Sequence, residues 1–139
     1  MRKFSVVTLQ HHPITMNEAA SVTEACDQMR ARGPGSVLVT GQAGQLVGIF
    51  TGRDAVCRVL AQRLDPSRTC LADVMTRDPK TILPDQTAFE VLRLMAEGGF
   101  RHMPMLKNGK IVGLVSRGDF KGVELNPDHE ECDLWEHLH

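Results

Sequence analysis

The second half of this chain repeats the first, and an internal repeat constrains the fold of a 139-residue sequence more tightly than any single motif could. Pro13 matches Pro79, Thr15 matches Thr81, Ser21 matches Thr87, Glu24 matches Glu90, Met29 matches Met95 and Gly33 matches Gly99, all at an offset of 66 residues. The offset then falls to 65, as a single deletion in a turn would cause. From there Gly44 matches Gly109, Gly48 matches Gly113, Thr51 matches Ser116 and Asp54 matches Asp119. A unit of about 60 residues buries a poor fraction of its surface alone. The expected architecture is therefore two copies packed sheet to sheet around a pseudo-two-fold axis.

Local chemistry is duplicated along with the spacing. Ser21-Val22-Thr23-Glu24 and Thr87-Ala88-Phe89-Glu90 both fit the capping box at a helix start. Val22, Ala25, Cys26 and Met29, and in the second copy Ala88, Val91, Leu92 and Met95, follow the stripe of a helix with one buried face. Gly33 and Gly98-Gly99 end these helices. Val37-Leu38-Val39 and Met103-Pro104-Met105-Leu106 lead through glycine turns into Leu46–Phe50 and Ile111–Val115, a β-hairpin in each copy. A helix after Asp54 continues through Val56, Val59 and Leu60, and its counterpart after Asp119 is short. The fold class is α+β, with each copy in the order β-α-β-β-α. Boundaries are set at residues 5–65 and 69–124, followed by a helical tail over 125–139. The stretch between the copies holds a turn at Asp65-Pro66-Ser67 and a short helix from Thr69 to Met75.

The duplicated stretches Gly48–Asp54 and Gly113–Asp119 carry the chemistry. In each, an apolar strand runs into a hydroxyl, Thr51 or Ser116, that can cap a helix, and an aspartate follows three residues later. A capped helix start presents N–H donors, a hydroxyl and the positive end of a dipole to a phosphate. The aspartate would repel phosphate and is better suited to accept two hydrogen bonds from a ribose diol. Plain helix capping is the competing reading of either stretch alone.

Composition excludes other classes. A net charge of -1 gives no electrostatic reason to expect nucleic acid or an anionic membrane, and 4% aromatic content with no Tyr leaves no stacking platform for bases. The apolar run at the N-terminus stops at Thr8, short of a signal or membrane segment, so a cytoplasmic protein is expected. Cys26, Cys57, Cys70 and Cys132 show no Cys-x-x-Cys pair, and Cys26 and Cys57 fall on apolar helix faces. In the tail, His129, Cys132, His137 and His139 fit no standard zinc spacing. Asn126-Pro127 with acids behind it describes a helix start instead, with Leu134, Trp135 and Leu138 as a docking stripe. No nucleophile elbow, Walker loop or acid–base pair is present, so no enzyme is expected.

Val74-Met75-Thr76, Thr81-Ile82-Leu83-Pro84-Asp85-Gln86-Thr87 and Gly99-Phe100-Arg101-His102-Met103-Pro104-Met105, together with the two Gly-to-Asp stretches, resemble a tandem pair of CBS domains, the Bateman module named after cystathionine β-synthase. The first copy departs from the pattern, lacking the Val-Met-Thr lead-in and carrying Gly35-Ser36-Val37-Leu38 where the second has Arg101-His102-Met103-Pro104. The resemblance implies a regulatory module that binds an adenosine-containing ligand in clefts between repeats: AMP first, then ATP or ADP, or NAD(H). It implies that Asp54 and Asp119 hold the ribose. The adenine would lie against Thr15 and Met16 in one copy, and against Thr81, Ile82, Met103 and Pro104 in the other. Arg53, Arg101, His102 and Arg117 are the candidates for phosphate charge. Arg53 aligns with Gly118 and Arg117 with Gly52, so the two clefts are expected to differ, with the site around Ser116 and Asp119 ranked first. The family implies a homodimer through the helices after Asp54 and Asp119, acting on an effector protein the sequence does not identify. Two rivals stand: a ligand-free structural or protein-interaction module that dimerises, and, behind it, a metal sensor using the tail.

Overall fold

A computed structural model describes residues 12–120. Pro13–Pro79 forms one compact unit, and residues 80–120 belong to the other. The N-terminal stretch through residue 11 and the tail, with its candidate metal ligands and docking stripe, lie outside the described residues.

The first unit runs β1 (Thr15–Asn17), α1 (Val22–Arg32), β2 (Ser36–Thr40), β3 (Leu46–Thr51), α2 (Gly52–Asp54), α3 (Leu71–Val74) and β4 (Thr76–Arg77). The strands form one sheet in the order β1-β2-β3-β4, with β1 parallel to β2 and the other pairs antiparallel. Helix α1 starts where Ser21 Oγ accepts the Glu24 N–H at 3.1 Å and ends at Gly33, whose left-handed φ of 96° sends its N–H to the Met29 carbonyl. The box expected here is one-sided, and the linker docks at the same end: Val22 N–H donates to the Thr69 carbonyl and Leu71 N–H to the Ala20 carbonyl, each at 2.9 Å.

Alternation along β2 sends Val37 and Val39 into a core with Ile14, Val22, Ala25, Phe50, Val59, Leu71, Val74 and Met75. Side chains of this size contribute about 1.5–3 kcal/mol each when fully buried. Leu38 and its cross-strand partner Ile49 lie on the opposite face of the sheet. Gly48 has a specific reason to be glycine. It pairs with Arg77, and a Cβ there would sit 2.9 Å from the Thr76 carbonyl, so a side chain would push β4 off the sheet edge.

Helix α2 continues directly into a π-helical stretch (Ala55–Leu60), in which Ala61 N–H reaches back five residues to the Val56 carbonyl. Only Val59 is buried in this stretch, while Val56 and Leu60 are 56% and 64% exposed. Cys57 is exposed as well, which corrects its expected place on an apolar buried face. Cys26 is half-buried, and burial, reinforced by Asp27, pushes its thiol pKa up.

The second unit contains α4 (Ala88–Gly98), β5 (His102–Lys107), β6 (Lys110–Ser116) and one 3₁₀ turn (Arg117–Phe120). Thr87 and Glu90 complete the reciprocal capping box at α4, and Gly99 closes it in the left-handed region at φ 69°. Ala88, Val91, Leu92 and Met95 pack on Met103, Met105, Val115, Ile82 and Phe120.

A full first strand is expected in this copy too, but only a bridge between Ile82 and Met105 forms among the described residues. Two prolines remove the flanking bonds. In the first copy Leu38 N–H donates to the Ile14 carbonyl at 2.8 Å and Glu18 N–H to the Thr40 carbonyl at 2.9 Å, and Pro104 and Pro84, at the matching places, have no N–H to give. Ile82 N–H still donates to the Pro104 carbonyl and Leu106 N–H to the Ile82 carbonyl, each at 2.9 Å.

Candidate functional site

Each copy gathers its candidate residues at the end of its hairpin, where the last strand turns into helix. In the first copy Thr51 N–H donates to Asp54 Oδ2 at 2.9 Å, and Asp54 N–H donates back to Thr51 Oγ1 at 3.1 Å. This reciprocal box is the capping geometry in full. The other carboxylate oxygen, Oδ1, lies 3.5 Å from Arg58 Nε. The same guanidinium donates through Nη1 to the carbonyls of Val74 at 3.3 Å and Met75 at 3.0 Å, at the C-terminal end of α3. Asp54 is thus engaged at both oxygens, on one side by its own turn and on the other by a cation anchored to the linker. Arg53 is exposed on α2.

The second copy repeats the turn. Ser116 N–H donates to Asp119 Oδ2 at 2.8 Å. The residue four positions after Asp119 is Val123, so no arginine stands where Arg58 stands in the first copy. The described residues end on this turn, where Arg117–Phe120 is a 3₁₀ helix.

A backbone clamp is shared by both copies and carries opposite side chains. Gly52 N–H donates to the Gly35 carbonyl at 3.1 Å, and Arg117 N–H donates to the Arg101 carbonyl at 2.7 Å. The same hydrogen bond therefore joins two glycines in one copy and two arginines in the other. One residue inward, Ser36 is the cross-strand partner of Thr51, and His102 is the cross-strand partner of Ser116. Such partners share a face of the sheet. His102 is half-buried, and burial lowers its pKa. The Arg101 charge lowers it further, and Asp119 acts in the opposite sense.

Of the remaining candidates, Thr15 and Thr81 are exposed, and Met16 is half-buried with its carbonyl accepting the Thr40 hydroxyl at 3.4 Å. Ile82 and Met103 turn their side chains into the helix-side core, leaving only their backbone groups toward the sheet's other face. That face instead carries Pro104 and its cross-strand partner Leu114. Sequence reasoning missed Leu114, Ser36 and Arg58. The repeat register could have found Ser36, which aligns with His102, and helical spacing could have found Arg58, four residues after Asp54.

Residues 6–60 and 71–125 each match the CBS domain. The chain belongs to the CBS domain family. Among its relatives, the CBS domain-containing protein CBSCBSPB2 of Arabidopsis thaliana is 40% identical over 102 residues, which cover 73% of this chain and 19% of that protein. This CBS pair thus spans about a fifth of the plant relative's length. The CBS-domain containing protein ATU1752 from Agrobacterium tumefaciens is 30% identical, superposes with a TM-score of 0.76, and aligns over 85% of this chain and 90% of its own. A CBS domain protein from Pyrobaculum aerophilum, solved in complex with AMP, matches 99% of this chain and 98% of its own at a TM-score of 0.79 and 24% identity. At that identity the likeness is one of fold.

Among the described residues no helix is long and apolar enough to cross a membrane, and no three His, Cys, Asp or Glu side chains gather as metal ligands.

Proposed function

We propose that this CBS pair is a regulatory module that binds an adenine nucleotide, with AMP as the first candidate, and responds by a change in packing. The observation that carries this reading is the grouping of Arg101, His102 and Arg117 with Ser116 and Asp119 at one end of the β5–β6 hairpin. Two guanidiniums can neutralise a phosphate, and the His102 imidazole N–H and the Ser116 hydroxyl add donors. Asp119 then serves the ribose diol, while Thr81 and Pro104 border the base. AMP in the Pyrobaculum protein belongs to a shared fold; for this chain the ligand is argued from its own side chains.

Binding energy reaches a partner only through the ligand's differential affinity for two arrangements. The module acts as a homodimer: exposed Val56 and Leu60, followed by exposed Leu64, form an apolar surface on the first copy suited to a second chain. The module acts by passing binding energy to an effector and not by catalysis.

A thermal-shift and calorimetry panel of AMP, ATP, NAD(H) and S-adenosylmethionine tests the reading, since a ligand that binds only the folded state raises its melting temperature. A rise with AMP at micromolar to millimolar concentration is expected. No shift with any of the four would favour a ligand-free interaction module instead.

A further inference from the structure

We propose that Arg58 is a latch: it holds the end of α3 in place only while no ligand occupies Asp54, and a ligand hydroxyl that takes Asp54 loosens the linker; the inference rests on the nucleotide reading above. Asp54 Oδ2 accepts the Thr51 N–H at 2.9 Å, so the oxygen more easily taken is Oδ1, whose partner Arg58 Nε is 3.5 Å away. Through Nη1 the same guanidinium donates to the Val74 and Met75 carbonyls at 3.3 and 3.0 Å. These carbonyls belong to the last residue of α3 and to its C-cap, both buried, at a helix end whose carbonyls have no donor within the helix. One half-exposed side chain thus spans from the hydroxyl-to-aspartate turn to the linker.

The hold depends on Asp54. An arginine left without its carboxylate must give up its full rotamer freedom to reach two neutral carbonyls, whereas the carboxylate fixes the fork in advance. The backbone places this side chain in an uncommon way. Arg58 lies in the π-helical stretch Ala55–Leu60, where Ala61 N–H reaches back to the Val56 carbonyl and Leu64 N–H to the Val59 carbonyl, a geometry that is rare and frequent at functional sites. What the latch holds is a short strap. Helix α3 has four residues, fixed at its start by Leu71 and Ala72 N–H groups that donate to the Ala20 and Glu18 carbonyls, and β4 has two residues, paired with Gly48 and Ile49. Leu71 and Val74 stay in the core and Arg77 Nη2 donates to the Ala72 carbonyl at 2.9 Å, so release loosens the C-terminal end of α3 without detaching it. The second copy follows β4 in the chain, which makes this strap the covalent route between the copies.

The test reads amide hydrogen exchange at Asp73, Met75 and Asp78, whose N–H groups donate to the Cys70, Leu71 and Val47 carbonyls. It compares the full chain with its Arg58→Gln, Arg58→Lys and Asp54→Asn variants and the double variant Asp54→Asn/Arg58→Gln. Without ligand, Arg58→Gln and Asp54→Asn should each speed this exchange about two- to fivefold, and the double variant no more than either, because both break one latch. Amides of β2 should not change, as they would if the variants merely weakened the fold. Saturating AMP should speed linker exchange by a similar factor in the wild type and not at all in Arg58→Gln, which should bind AMP about two- to fivefold more tightly because the competitor is gone. Arg58→Lys keeps a charge but lacks the fork that spans carboxylate and carbonyls, so it should loosen the linker without tightening AMP binding. Additive effects of the two single variants, AMP binding that leaves the wild-type linker amides unchanged, or an Arg58→Gln variant that binds AMP no more tightly than the wild type overturns the inference and leaves the nucleotide reading standing. A wild-type chain that does not bind AMP overturns both.

Discussion

Arg58 ties Asp54 to the linker: its Nε lies 3.5 Å from Asp54 Oδ1, and its Nη1 donates to the Val74 and Met75 carbonyls. Asp119, its counterpart in the second copy, is followed at the same spacing by Val123. The chain's own cation therefore competes with any ligand hydroxyl for Asp54, and Asp119 lies in the group with Arg101, His102 and Ser116. Asp119→Ala should weaken AMP binding by about tenfold or more, as expected for a charge-assisted hydrogen bond, and Asp54→Ala by clearly less. Asp54→Ala should show itself mainly as a lower melting temperature. Calorimetry of both variants decides the ranking, and equal losses of affinity would refute it.

His102 sets a pH dependence whose sign follows from its lowered pKa. Burial and the Arg101 charge disfavour the imidazolium in the folded chain. The unfolded chain takes up a proton as pH falls through about 6.5, and the folded chain does so only at lower pH. This residue's contribution therefore leaves stability highest above pH 6.5 and lowers it as pH falls toward the folded pKa, below which the loss levels off. Melting temperature measured across this window should show a slope that His102→Gln reduces. An unchanged slope in the variant would contradict the assignment.

The helix caps, alike in sequence, differ in strength. Thr87 and Glu90 exchange two hydrogen bonds at α4, whereas at α1 Ser21 accepts one from Glu24 N–H and no return bond completes the box. Thr87→Ala should cost about 1–2 kcal/mol, and Ser21→Ala no more than about 1 kcal/mol. Denaturant unfolding of the two variants measures the difference directly, and a larger loss at Ser21 would reverse the reading.

Val56 and Leu60 are exposed on the π-helical stretch, and neither belongs to the core around Val59. Replacing both by Asp should convert a dimer to a monomer in light scattering while leaving the melting temperature of the dilute protein nearly unchanged. Persistence of the dimer would place the interface elsewhere. Val59→Ala is the contrasting substitution, expected to lower stability by about 1–3 kcal/mol because it opens a cavity in the core.

The sequence by itself determined the two copies, their hairpins, the glycine ends of α1 and α4, and the hydroxyl-to-aspartate turns. All of these depend on backbone geometry within a few residues or on the period of a buried face, which local patterns report. Tertiary structure decided which side of the sheet Ile82 and Met103 face, which carbonyls Arg58 reaches sixteen and seventeen residues away, and how the linker closes over the start of α1. It also decided that Ser36 is buried without a partner among the described residues. The loss of the second copy's first strand lies between these cases. Proline's missing N–H is written in the sequence, but its consequence appears only once Leu38 is seen spending that N–H on Ile14. Long-range partners are set by the packing of whole elements, and a residue's own neighbours in the chain carry no record of them.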